Sequence, residues 1–134
     1  MRKIYTDKAP KVVGPYSQAI EIGGLVFCSG QIGINPKTGD LVDGIEKQTT
    51  QVLKNLEAVL EESGAHKESV IKTTIFLKNM KDYITVNEIY GKFFGDHKPA
   101  RSTVAVSHLP KDALIEIEAI AVAGERREDC CGRC

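Results

Sequence analysis

Apolar positions recur with two different periods along this chain, and the switches between them mark out its elements. Gln18 to Ile22 and Leu25 to Ser29 are short strand-like runs, and the Gly23-Gly24 link between them signals a tight hairpin. Asn35-Pro36-Lys37-Thr38-Gly39 has the composition of a turn. Val52, Leu53, Leu56, Val59 and Leu60 then fall at helical intervals, with Asp43 and Glu46 at capping-box spacing ahead of them and Gly64 as the stop. Val70 to Lys78 returns to alternation and sets Ile71, Thr73, Ile75 and Leu77 on one side of a strand. From about Asp82 to Phe94, Tyr83, Val86, Tyr90, Phe93 and Phe94 form an apolar helical stripe with Asn87 at its edge. Pro99 closes that region, and Ser102 to Ser107 and Ala113 to Ala123 read as two final strands joined at Pro110-Lys111-Asp112.

The last strand is diagnostic. Ile115, Ile117, Ala119 and Ala121 point one way, and Glu116, Glu118, Ile120 and Val122 the other, so both faces are partly apolar. Two helices cover only one face of a sheet built from these strands. The pattern therefore predicts an α+β domain that packs against another copy of itself, with a mass above 14.7 kDa in light scattering.

Composition narrows the field further. A chain of 134 residues has enough apolar surface for one core but not two, and 42% hydrophobic with 27% charged residues is ordinary for a globular protein. No apolar run approaches the roughly 18 residues of a membrane helix, and Met1 to Pro10 has no hydrophobic signal core, so neither a membrane role nor secretion is expected. Eighteen basic residues balance eighteen acidic ones, which disfavours a nucleic-acid partner. Arg126 and Arg127 lie beside Glu125, Glu128 and Asp129 and read as a solvated tail. Cys130, Cys131 and Cys134 crowd the last five residues and cannot staple a fold, so a reducing, cytoplasmic setting fits. Cys131-Gly-Arg-Cys134 has metal-ligand or redox spacing, but three thiols are one ligand short of a closed zinc site. Domain boundaries follow: one domain over 1–123 and a cysteine-containing tail over 124–134. Cys28 reads as a small buried hydrophobe.

Few residues point to chemistry on their own. Arg101 stands at a strand entrance, where its planar fork could meet a ligand carboxylate through two hydrogen bonds or one of the protein's own acids. Glu116 and Glu118 share a strand face, and either a buried salt bridge, an interface hydrogen bond or a carboxylate that activates water explains them. Tyr16, in Gly14-Pro15-Tyr16, sits in a turn that fixes its ring and leaves its hydroxyl available, although packing alone also accounts for it. Ser29-Gly30 ends a strand where a glycine permits close approach of a ligand to the backbone, or simply a bulge or turn. His66, His97 and His108 show no metal or base-nucleophile spacing. No phosphate loop, dinucleotide glycine pattern or nucleophile elbow is present, so nucleotide and serine-hydrolase chemistry find no support.

Taken together the segments resemble the RidA (YjgF) family of reactive-intermediate deaminases from about Lys3 to Ala123. The resemblance is carried by Gly14-Pro-Tyr-Ser-Gln-Ala19, Ser29-Gly-Gln-Ile32, Asn35-Pro-Lys-Thr-Gly39, Pro99-Ala-Arg-Ser102 and Leu109-Pro-Lys-Asp-Ala-Leu-Ile-Glu-Ile-Glu-Ala-Ile-Ala-Val122. It implies a chorismate-mutase-like α+β fold, a mixed, mostly antiparallel sheet with two helices on one face, assembled as a homotrimer with ligand sites between subunits. It also implies hydrolysis of enamines and imines such as 2-aminoacrylate and 2-iminobutanoate, released by pyridoxal-phosphate-dependent dehydratases, to 2-oxo acids and ammonia, with no cofactor and no metal. Carried over by position, Arg101 would bind the substrate carboxylate, Glu116 would position or activate water, and Tyr16 would lend its hydroxyl. Backbone groups of Ser29, Gly30 and Thr103, with Asn87, would complete the site. Thr103 stands where many relatives have cysteine, which excludes thiol chemistry there. Gly95 to Lys98 is a short connection, which would alter the rim of the cleft. Two other activities fit the same resemblance: a non-catalytic 2-oxo-acid-binding regulatory protein, and an endoribonuclease or translation inhibitor.

Overall fold

Gly23 and Gly24 turn the chain with φ of 58° and 81°, and this left-handed pair joins two antiparallel strands. The computed structural model describes residues 1–124. Those two strands are β2 (Ala19–Ile22) and β3 (Leu25–Gln31), preceded by β1 (Arg2–Ile4), a short edge strand that the apolar pattern does not reveal. With β4 (Val70–Leu77), β5 (Ala100–Ala105) and β6 (Ile115–Val122) they form one sheet in the order β1-β2-β3-β6-β4-β5. Only the β4–β5 pair is parallel. The crossover between these two strands is α2 (Tyr83–Phe94), the connection a parallel pair requires.

The expected helix is α1, Ile45–Glu62. Its start corrects one expectation: Asp43 and Glu46 do not make a capping box. Gly44 takes the N-cap at φ 85°, a conformation Asp disfavours, and no side chain caps the helix. Its end is as expected. Gly64 (φ 83°) donates to the Glu61 carbonyl at 3.1 Å, and Ala65 to that of Leu60 at 2.9 Å, closing the left-handed cap.

Both helices lie on one face of the sheet. Val26, Ile75, Leu77, Ile115, Ile117 and Ala121 are wholly buried there against Val52, Leu56, Val59 and Leu60 of α1. A second correction concerns β4. Val70 pairs with Ala121 and Lys72 with Ile120, so one extra residue on β4 faces a single step of β6. This bulge turns Ile71 outward and puts Val70 in the core in its place.

Among the described residues, no helix covers the opposite face. Ile22 and Phe27 are exposed there, with Leu25, Ile120 and Val122 half-buried as their cross-strand neighbours. The face is apolar at its β2–β3–β6 end and carries Glu116 and Glu118 further along β6. Among the described residues, no helix is long and apolar enough to cross a membrane. The residues beyond 124, with the three tail cysteines, lie outside the described residues.

Candidate active site

A bulge in β3 creates the first part of the site. Cys28 pairs with Ala119 and Gln31 with Ile117, so Ser29 and Gly30 together span one step of β6 opposite Glu118. Gly30 is glycine for space: a Cβ there would overlap the Glu116 carboxylate, reaching its Cδ at 2.7 Å. The bulge explanation of Ser29-Gly30 thus holds, and the space that the glycine leaves is taken by the Glu116 side chain. Ser29 itself is less available than expected. Its N–H donates to the Gln18 carbonyl at 2.9 Å and its hydroxyl to the Ser17 carbonyl at 2.6 Å, which leaves the hydroxyl oxygen as an acceptor.

Glu116 is half-buried, and neither it nor Glu118 joins an ion pair among the described residues, which removes the in-chain salt-bridge explanation. Burial, with a smaller contribution from the charge of Glu118, holds the Glu116 carboxyl above the usual carboxylate range. It lies in a cleft of about 580 Å³ that Tyr16, Ser29, Gly30 and Lys111 also line. Tyr16 follows Gly14 (φ 140°) in a turn where the Tyr16 N–H meets the Gly14 carbonyl at 3.0 Å, and its ring is 56% exposed.

Buried amides hold the walls of this cleft, a role the sequence does not signal. Gln18 is 1% exposed; it accepts from the Thr6 N–H at 2.7 Å and donates to the Thr6 and Pro10 carbonyls, pinning the segment that leads to Tyr16. From α1, Asn55 donates to the Ile32 and Ile34 carbonyls, while Gln48 accepts from the Leu114 N–H. At the rim, Lys111 and Asp112 both have left-handed backbones (φ 55° and 59°), and Asp112 is tied to Lys78 Nζ at 2.6 Å. That contact lowers the Asp112 carboxyl pKa.

Arg101 belongs to a different surface. It pairs with Thr73 across β4–β5, and Thr73 is on the helix-covered side, where its hydroxyl meets Tyr90 Oη at 2.7 Å. Glu116 pairs with Phe76, three residues further along β4 and hence on the other side. Arg101 Nη2 donates to Tyr83 Oη at 3.2 Å, and its Cζ is 5.0 Å from the Tyr90 ring centre and 5.7 Å from that of Tyr83. No acid pairs with it among the described residues, so the ion-pair explanation of Arg101 fails.

Two further expected residues cluster with Arg101. Thr103 follows two positions along β5 on the same face, and Asn87 sits on the α2 face between Tyr83 and Tyr90. Thr103 Oγ1 and Asn87 Oδ1 are buried and have no hydrogen-bond partner in the described structure. The expected residues therefore form two groups on opposite sides of one sheet: Tyr16, Ser29, Gly30 and Glu116, and Asn87, Arg101 and Thr103. Cys28 belongs to neither group; burial pushes its thiol up to about 12, as suits a core residue.

Among the described residues, one side of the sheet offers a carboxylate without an ion-pair partner in a cleft and the other a guanidinium without one. The whole is a single α+β domain with a mostly antiparallel sheet and two helices. The chain belongs to the RidA family, whose sequence pattern, described as Endoribonuclease L-PSP, matches residues 6–123. It is 56% identical to a RutC family protein of Pyrococcus horikoshii, over 88% of this chain and 94% of that one. It is 54% identical to the chloroplastic Reactive Intermediate Deaminase A of Arabidopsis thaliana, over 88% of this chain and 64% of that one. E. coli TdcF, solved with bound serine, superposes with a TM-score of 0.89 at 40% identity, covering 92% of this chain and all of that one.

Proposed function

We propose that this protein hydrolyses the imine and enamine forms of small 2-amino-acid-derived intermediates, 2-iminobutanoate and 2-aminoacrylate among them, to 2-oxo acids and ammonia. Water adds to the C=N carbon, the C–N bond breaks, and the nitrogen leaves as ammonia while the oxygen stays as the new ketone. The observation that carries this reading is Glu116: a half-buried carboxyl, raised in pKa, without an ion pair among the described residues, in a cleft that Tyr16 also lines. Such a group accepts a proton from water and returns it to a departing nitrogen, a contribution of roughly 10²- to 10⁴-fold. The substrate is already electrophilic, so positioning and one proton relay are sufficient.

Arg101 takes the substrate carboxylate, with Asn87 and Thr103 beside it. Because these residues and Glu116 face opposite ways in one chain, the working site joins the Arg101 group of one subunit to the Glu116 group of another. A homotrimer, closed over the bare apolar face, supplies that pairing. The serine bound to TdcF supports a ligand of this class, an amino acid with a carboxylate beside nitrogen. The protein is expected to need no cofactor and to serve pyridoxal-phosphate-dependent dehydratases.

A coupled assay with a threonine dehydratase tests the proposal. Added protein should speed imine loss and ammonia release, and Arg101→Ala should weaken capture by tens to thousands of times, about 2–5 kcal/mol. An unchanged imine lifetime in the presence of the wild-type protein would overturn it. The family description also names an endoribonuclease; purified protein that cleaves RNA, with cleavage lost in Glu116→Ala, would favour that activity instead.

A further inference from the structure

A guanidinium on an edge strand has many rotamers, and a carboxylate binds it well only when its fork is already aimed. Arg101 is on β5, the last strand of the sheet, and no acid among the described residues holds it. What holds it is aromatic. The Tyr90 ring lies 5.0 Å from Cζ, and that tyrosine is itself pinned by its hydroxyl contact with Thr73. The remaining degree of freedom, rotation of the fork over the ring, is stopped by a single polar contact, Nη2 to Tyr83 Oη at 3.2 Å. Tyr83 is well placed for this, since it opens α2 directly after a turn in which Asn79 accepts from the Lys81 N–H at 2.9 Å.

The choice of partner matters chemically. An acid at position 83 would neutralise the guanidinium and compete with an anionic ligand, whereas a phenol accepts one N–H and leaves the positive charge and the rest of the fork unopposed. We infer that Tyr83 is a positioning residue for the proposed reaction: its hydroxyl locks the Arg101 fork in the orientation that receives the substrate carboxylate. This inference rests on the function proposed above.

Tyr83→Phe tests it, because it keeps the ring beside the guanidinium and removes only the oxygen. Calorimetric titration with 2-oxobutanoate should show binding weakened roughly threefold to tenfold, given that the contact is charge-assisted but partly exposed. In the coupled assay KM should rise while kcat stays within roughly twofold of wild type, and the melting temperature should not move. Tyr83→Leu, which loses the ring as well, should weaken binding further. Binding by Tyr83→Phe equal to wild type overturns the inference alone. A parallel fall in kcat and melting temperature also overturns it, since that marks a packing role. A wild-type protein that neither binds 2-oxobutanoate nor shortens the imine lifetime overturns the proposed function and this inference with it.

Discussion

A carboxyl half removed from water, with a second glutamate two residues along the same face and no ion pair among the described residues, resists ionisation. For Glu116 this means that the folded pKa lies above the unfolded one, so the native state binds its proton more tightly. The resulting penalty is absent at low pH and appears as pH rises through the unfolded and then the raised folded pKa. Glu116→Gln should therefore raise the melting temperature at neutral pH, and the gain should disappear on acidification below the carboxylate range. Thermal melts across a pH series check this; a gain that persists in acid would mark better packing rather than relief of a buried charge. The same substitution should slow ammonia release by roughly 10²- to 10⁴-fold, because an amide cannot relay the proton. At this scale the sequence was informative about residue type and silent about surroundings. Glu116 stood out as an acid on an apolar strand face, while the contact between Tyr83 and Arg101 joins positions 18 residues apart and leaves no local trace.

Elements are decided by turns and caps as much as by apolar period. The hairpin at Gly23-Gly24 and the stop at Gly64 were legible because only glycine adopts their backbone without strain. The Val70–Lys72 bulge was not, since it depends on the partner strand, and strict alternation put Ile71 inside where Val70 belongs. Gly64→Ala should cost about 1 kcal/mol, all of it conformational, because an added Cβ would meet nothing closer than the Gly124 nitrogen at 4.0 Å. Asn55→Ala should cost more, about 1–3 kcal/mol, since it strands the Ile32 and Ile34 carbonyls that its amide satisfies. Chemical denaturation of both variants measures the difference. Equal losses would mean that the carbonyls find water when Asn55 is removed.

At the scale of the whole molecule, one sheet presents its acid on one side and its guanidinium on the other. Two single variants then make a decisive experiment. Arg101→Ala and Glu116→Ala homo-oligomers should each be inactive, and unfolding and refolding them together should restore part of the activity, because mixed assemblies contain sites with both wild-type groups. Ammonia release from the mixture reads this out. A mixture as inactive as its components would show that the site does not combine residues from two chains. Light scattering supplies the companion measurement, with a mass above 14.7 kDa expected from an apolar face that no helix among the described residues covers.

The amino-acid sequence by itself determined both helices, every strand but β1, the single core and the candidate residue types, because periodicity, glycine turns and strand alternation are local properties of the chain. It also placed Glu116 on the last strand, but it began the preceding strand at Ser102, one residue past Arg101, where β5 starts at Ala100. Only the tertiary structure decided which side of the sheet each residue faces, that Ser29 has its N–H occupied by Gln18, and that, among the described residues, Arg101 is held by tyrosines and not by an acid. Those outcomes depend on strand order, register and bulges. Each is set by pairing between segments distant in the chain, where local pattern carries no information.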